Sequence, residues 1–230
     1  MIWLNLDKEF CDSMRMSFKE IPNTDYGKGK YKPFFPLMKI GPFVYITQIT
    51  SPKPRHEHLN EGKDLIKLHD NYGRFIGVVN LNYMFPLLGK NYEALTEKAI
   101  EELYLDTNPL SYTKKQLNFL NILTNDIKYK NIPSRAIELY KYKFSHTDTK
   151  LAQRCLDYKE LEAKCLEINL QEDLQEDELR VTRENNLFMI SVGDNKVAKT
   201  YNGLNNYDGF VNDYRNQLQM QQIETGIDFE

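Results

Sequence analysis

Apolar positions recur at two different spacings along this chain, and the change from one to the other divides it. In the first part, short runs rich in β-branched and aromatic residues alternate with turn signals. Phe34–Ile40, Val44–Ile49 and Phe75–Leu81 read as strands. Gly41-Pro42 marks a turn between the first two. Ser51-Pro52-Lys53-Pro54 cannot extend the second strand, because each proline removes a ladder donor. The chain must leave the sheet there, on a loop well placed to carry function.

From about residue 92 the spacing becomes helical. Ala94, Leu95, Ala99, Ile100 and Leu103 form one stripe. Leu117, Leu120 and Ile127, with Phe119 and Leu123 beside them, form a second, opened by Ser111 or Thr113 as N-cap. Ile132-Pro133-Ser134 restarts a short helix through Tyr140. Leu151, Cys155, Tyr158, Leu161, Cys165 and Ile168 trace a third long stripe, read as one helix, running into the acid-rich Glu167–Glu178. Leu187–Val192 and Val197–Tyr201 around Gly193-Asp194-Asn195 read as a hairpin, and Tyr207, Phe210, Val211, Tyr214 and Leu218 as an amphipathic helix. Strands first and helices after predict an α+β fold with an antiparallel, barrel-like sheet and a C-terminal helix–hairpin–helix.

Composition narrows the class. With 41% hydrophobic and 27% charged residues the chain has the makings of an ordinary globular core. No apolar run approaches the roughly 20 residues of a membrane span, and the start of the chain has no signal-peptide pattern. Cys11, Cys155 and Cys165 fit no disulfide framework or paired metal motif, so the expected compartment is the cytoplasm. Charge is unevenly spread. Residues 1–165 carry a balance of +5 and residues 166–230 one of −8. A mildly basic body with an acidic extension points to an anionic partner for the body.

The candidate chemistry lies in Tyr45-Ile-Thr-Gln-Ile-Thr-Ser-Pro-Lys-Pro-Arg-His56. A strand ends in two hydroxyls, Thr50 and Ser51, and a proline-stiffened loop presents Lys53, Arg55 and His56. RNA cleavage needs no metal when the 2′-hydroxyl attacks its own phosphate. The protein must then hold the geometry, neutralise the phosphorane and assist proton transfer. Cations beside hydroxyl donors supply the first two, and His56 or Tyr31 the third. His56 and His58 have no third ligand at suitable spacing, so neither a metal site nor a cofactor is expected.

These residues belong to a larger pattern. Lys19–Asn23 (KEIPN), Tyr31-Lys-Pro-Phe34, Tyr45 to Lys53, Lys67-Leu-His69, Gly77–Leu81 with Met84 and Pro86, and Lys115–Phe119 stand in an order that resembles the ToxN/AbiQ family of type III toxin–antitoxin endoribonucleases, from about Lys8 to Lys164. The resemblance implies a small antiparallel MazF/Kid-like (SH3-like) barrel decorated with helices over 1–165. It implies metal-independent cleavage of single-stranded RNA to 2′,3′-cyclic phosphate and 5′-hydroxyl ends. It also implies inhibition by a folded repeat antitoxin RNA in a cyclic or paired protein–RNA assembly, target mRNA as substrate, and abortive defence against phage. By position, Thr50, Ser51 and Lys53 match the family's catalytic loop and Tyr31 its tyrosine beside the phosphate. Arg55 departs from the family, which often has an aromatic residue there.

Each assignment has a plainer reading. Ser51 and Thr50 also suit a turn and a strand end, Lys53 a solvated surface, and Tyr31 simple packing. Lys28, Lys30 and Lys32, interleaved with aromatics, read as a path for single-stranded RNA, and Lys114 and Lys115 as contacts to a folded RNA. All five also fit wet loop and helix faces. His69 is read as structural or as an RNA backbone contact. A non-catalytic RNA-binding protein using the same groove is the alternative function, and an interaction module without RNA a third. For residues 166–230, an intramolecular RNA mimic, a protein interface and inert elaboration all remain open.

Overall fold

The computed structural model describes residues 2–22, 34–103, 109–184, 187–193, 201–202, 207–209, 211–212 and 214–216. They fall into two compact units, 1–158 and 159–230.

The first unit is built on one antiparallel sheet. Its strands are β1 (Trp3–Leu6), β2 (Phe34–Ile40), β3 (Phe43–Thr50), β4 (Leu65–His69), β5 (Phe75–Asn80), β6 (Phe85–Leu87) and β7 (Tyr92–Leu95), ordered β4-β5-β3-β2-β1-β7 with β6 on β3. The β2–β3 hairpin closes through Gly41-Pro42, where Gly41 takes a φ of 56° that a side chain would resist. Pro36 lies in the middle of β2 at a register shift, and no β1 pairing extends to it, so its missing N–H costs no ladder bond on that side.

β3 organises the sheet. One edge pairs with β2 along most of its length. The other edge is shared: Val44–Ile46 pair with β6, and Ile49 and Thr50 pair with β5. Thr47 and Gln48 sit at the fork between these partners. The Thr47 hydroxyl donates to the Asn80 carbonyl at 3.1 Å and ties the fork together. The expected closed barrel is not what forms: among the described residues the two end strands, β4 and β7, do not pair. With its free edge divided between two strands, β3 splays the sheet open at the fork.

Helices cover the sheet. α1 (Lys8–Ser17) is capped by Asp7, whose carboxylate accepts from the Glu9 and Phe10 amides at 2.8 and 3.2 Å. α3 (Glu97–Leu103) and α4 (Pro109–Asn125) follow β7, after the short α2 (Pro54–Glu57) that succeeds β3. Trp3 Nε1 donates to the Gln116 carbonyl at 3.2 Å and docks α4 on β1. α5 (Ile132–Ser145) packs on β2 and brings Tyr140 against Tyr45 and Tyr158 at ring separations of 5.5 and 5.4 Å. α6 (Lys150–Arg154) is joined to the sheet by a two-pronged pair, Arg154 Nε and Nη2 each 2.7 Å from an Asp64 carboxylate oxygen.

Several helical expectations change. Residues 92–95 form β7 because β1 offers a full ladder, from Trp3↔Leu95 to Leu6↔Tyr92; four residues are too few for spacing to decide. Ile127 leaves the helical stripe for a 3-10 turn and is 81% exposed. The helix opening at Ile132 runs on to Ser145. Cys155 and Cys165 are not on one helix: α6 ends at Arg154, and α7 (Tyr158–Leu174) starts three residues after Cys155. None of the three cysteines is in a disulfide and all are buried, and burial pushes the Cys11 thiol up to about 12, far from reactive.

The second unit contains most of α7 and a three-stranded sheet, β8 (Leu179–Glu184), β9 (Leu187–Val192) and β10 (Tyr201–Asn202), in the order β10-β9-β8. The expected helix–hairpin–helix is therefore incomplete as a description, because β9 pairs along its whole length with β8. The charged residues Arg180, Arg183 and Glu184 hide that strand, yet Leu179 and Val181 alternate inward with period two. Glu162, 1% exposed, is paired with Arg183. A Glu167 carboxylate oxygen accepts from the Val181 amide at 2.9 Å. Part of the acidic run is thus structural. Among the described residues no helix is long and apolar enough to cross a membrane.

Candidate active-site cavity

Where β3 forks, the sheet opens into a cavity of about 360 Å³. That volume suits a nucleotide-sized ligand. Thr50, Ser51, Lys53 and Arg55 line it together, as the loop reading requires. Thr50 is held in the β5 ladder opposite Val78, and Ser51 is the first residue free of it. Lys53, between Pro52 and Pro54, takes an extended backbone (φ −130°, ψ 152°), the conformation a following proline favours. Pro54 then starts α2, where its missing N–H costs nothing.

His56 is not in the cavity. It is 2% exposed and packed beneath the loop. Its amide donates to the Lys53 carbonyl at 2.8 Å, and its Nδ1 lies 3.3 Å from the Lys53 amide. His56 therefore holds Lys53 from both sides of its backbone, the carbonyl through its own amide and the amide through its ring. Neutral imidazole accepts at one nitrogen only. The Lys53 amide donates toward Nδ1 at 3.3 Å and Arg55 Nε toward Nε2 at 3.4 Å, and the tautomer selects which of the two the neutral ring accepts. Burial, followed by the charges of Arg55, Lys53 and Lys67, holds the His56 pKa below its ordinary value. Lys67 Nζ in turn donates to the Glu57 carbonyl at 2.9 Å and fastens α2 to β4.

The remaining candidates are dispersed. His69 ends β4, with its amide donating to the Tyr129 hydroxyl at 2.8 Å and its ring 5.8 Å from that of Phe75, outside the cavity wall. Lys114 and Lys115 are exposed on α4 and do not line the cavity; the Lys115 ammonium lies 5.7 Å from the Phe119 ring. Lys28, Lys30, Tyr31 and Lys32 lie outside the described residues.

The cavity also gathers residues the sequence did not single out: Glu20, Gln48, Asn80 and Tyr83. Glu20 follows α1 in a turn pinned by the Ile21 amide, which donates to Phe18 at 3.1 Å, and by the buried Ile21 side chain. Gln48 has a signal in hindsight: it stands two residues before Thr50 on β3 and shares its face. Asn80 and Tyr83 come from the fork and carry no such signal. The result is a cavity whose lining combines hydroxyls and cations with a carboxylate, amides and a phenol ring.

The family described as toxin ToxN of type III toxin–antitoxin systems matches residues 3–165. No curated protein sequence matches the chain. Among solved structures, one of a bacterial type III system in which a non-coding RNA pseudoknot selectively inhibits the toxin has 22% identity and a TM-score of 0.59, covering 73% of this chain and 97% of that one. A second, AbiQ, a lactococcal anti-phage endoribonuclease, has 15% identity and a TM-score of 0.58 over 71% of this chain and 94% of its own. A third, from a bacterial antiviral system regulated by a processed non-coding RNA, has 18% identity and a TM-score of 0.57 over 70% and 95%.

Proposed function

Because the chain belongs to the ToxN family of type III toxin–antitoxin toxins, we propose that it is an endoribonuclease that cuts single-stranded RNA at the β3 fork. The observation that carries this reading is the meeting of Thr50, Ser51, Lys53 and Arg55 in the lining of one cavity, at the end of a strand and on a loop stiffened by proline.

In the proposed reaction the ribose 2′-oxygen forms a bond to phosphorus while the bond from phosphorus to the 5′-oxygen breaks. The 2′-hydroxyl proton leaves to a base and the departing 5′-oxygen takes one up. The products are a 2′,3′-cyclic phosphate and a 5′-hydroxyl, and no metal is required. Lys53 stabilises the phosphorane, and the Ser51 and Thr50 hydroxyls orient it. Arg55 binds a flanking phosphate. Tyr31 is assigned to the phosphate and the proton transfers by its position in the family pattern.

Target mRNA is the substrate and a folded repeat RNA the inhibitor, in a cyclic or paired assembly, within a cytoplasmic anti-phage system. Residues 1–165 carry the nuclease and 166–230 an acidic extension. That partners of this kind act on relatives supports the assignment: a structural neighbour is inhibited by an RNA pseudoknot.

The test is incubation of the full chain with single-stranded RNA in a chelator, with the ends mapped. Cleavage that leaves 5′-hydroxyl ends and disappears in Ser51→Ala and Lys53→Ala is expected. A requirement for a divalent cation, or unchanged cutting by both variants, overturns the mechanism.

A further inference from the structure

Between β5 and β6 the chain makes one 3-10 turn, Leu81–Tyr83, which borders the cavity. With three residues per turn, successive side chains leave such a turn about 120° apart, and residues three apart share a side. Leu81 and Met84 are three apart, and both are fully buried. Asn82 is buried too, at 7% exposure, and does not line the cavity. Tyr83 is 41% exposed and does line it. The direction of the Tyr83 ring is therefore set by a turn whose other side chains are fixed inside the protein.

A strap from far along the chain, residues 154–158, does the fixing. Asn82 meets it at two points. Its carbonyl accepts from the Leu156 amide at 3.1 Å, and its side-chain nitrogen donates to the Arg154 carbonyl at 3.3 Å. A carbonyl only accepts, so this contact orients the Asn82 amide with its nitrogen toward Arg154. One residue earlier, the Leu81 carbonyl accepts from the Tyr158 hydroxyl at 3.4 Å. Asp64 closes the frame. Its carbonyl accepts from the Leu81 amide at 2.7 Å, and its carboxylate holds the Arg154 guanidinium. Lys143 Nζ secures the strap in turn, donating to the Ala152 and Cys155 carbonyls at 3.0 and 3.3 Å. All of these residues belong to the first unit.

We propose that Asn82 is a positioning residue for RNA: by clamping the 81–83 turn to residues 154–156 it sets the pose of Tyr83 in the cavity, and through that ring the affinity for the strand. This rests on the proposed RNA cleavage and adds to it a group that never touches the substrate. The effect falls on binding because of what each anchor holds. Thr50 is fixed by the β5 ladder and Lys53 by its prolines, so the scissile corner does not depend on the strap. Tyr83 offers a ring, and rings in such clefts pack against single-stranded RNA before and during the reaction alike. Losing an interaction of that kind raises KM and spares kcat. Alanine at 82 removes the donor, leaves the Arg154 carbonyl without it, and frees the turn on one side.

The experiment uses the full chain and single-stranded oligouridine RNA, with single-turnover cleavage measured over a range of protein concentrations. The same RNA with 2′-deoxy sugars reads binding without cleavage. Asn82→Ala and Tyr83→Ala should each raise the half-saturating concentration and the Kd by about tenfold and keep the saturated rate within about twofold. Asn82→Ser, a milder change, should shift both the same way by less. In the Tyr83→Ala background Asn82→Ala should add nothing further, because its effect runs through that ring. Ile100→Ala in α3, which borders neither the cavity nor the turn, should lower the unfolding midpoint and leave both concentrations alone. Equal shifts from Asn82→Ala with and without Tyr83 overturn the proposal. So does an Asn82 variant that loses stability with binding unchanged, or one that loses the saturated rate instead. A wild-type chain that binds RNA without cutting it sinks the nuclease reading alone, and the 2′-deoxy series still decides the role of Asn82.

Discussion

The Lys53 amide points at Nδ1 of His56, 3.3 Å away, so the imidazole works as a bracket for the loop that carries the lysine. From the sequence, His56 is a proton carrier or an RNA ligand. At 2% exposure and with Nδ1 engaged by the backbone, it acts on the site through the position of Lys53.

This bracket titrates. His56 has a pKa below the ordinary value of about 6.5, so above that pH it is neutral whether the chain is folded or not. Below it, the unfolded chain takes up a proton that the folded one refuses. Stability should therefore fall as pH drops from about 6.5 toward the folded pKa, by up to about 1.4 kcal/mol per pH unit. Urea unfolding between about pH 5 and 7.5 checks this, with His56→Gln expected to remove that part of the slope.

Pro52 restricts the backbone ahead of Lys53. Pro52→Gly releases it and should cost about 1 kcal/mol of stability, mainly through the unfolded chain. The larger effect should be on turnover, since a displaced catalytic group can lose about a hundredfold in rate. Single-turnover cleavage set against the unfolding midpoint separates the two.

Gly77 of β5 is where α4 and the end of β3 close on each other. A methyl group there would lie 2.8 Å from Ile49 Cγ2 and 3.3 Å from Phe119 Cε1. Gly77→Ala should destabilise by about 1 to 3 kcal/mol through overpacking. Because Ile49 precedes Thr50, cleavage should fall as well. In a double-mutant cycle Ile49→Ala should recover part of the Gly77→Ala loss; strict additivity would show that the strand does not transmit the strain.

Asp64 and Arg154 are unequally buried, with side chains 6% and 57% exposed. Arg154→Ala strands the buried carboxylate and should cost about 3 kcal/mol. Asp64→Asn leaves a guanidinium that water can reach, and should cost about 1 kcal/mol. Equilibrium unfolding of the two variants checks the order, and a reversed order would contradict the burial argument.

Much of the first unit is legible in the sequence because its signals are local. The β2–β3 hairpin follows from two apolar runs and Gly41-Pro42, and the exit from the sheet follows from Pro52 and Pro54. β1 and β7 are not legible: each is four residues long, and their strand character comes from pairing with each other. β8 is masked by its charges: Arg180 and Glu184 face outward, while Arg183 turns inward to the buried Glu162. The catalytic wall reads from the sequence because Thr50, Ser51 and Lys53 are contiguous. Glu20, Gln48 and Tyr83 do not, because they come to the same cavity only once β3 divides its edge.

That division has a bearing on how such a nuclease diversifies. The bend from Asn80 to Met84, between the two strands that share β3, borders the cleft without supplying any of the hydroxyls or cations assigned to bond breaking. Leu81, Asn82 and Met84 are buried and anchor the bend, which leaves the exposed Tyr83 as the position that can change while the scissile corner keeps its frame. Substituting Tyr83 alone should alter how RNA seats in the cleft and leave the scissile corner in place.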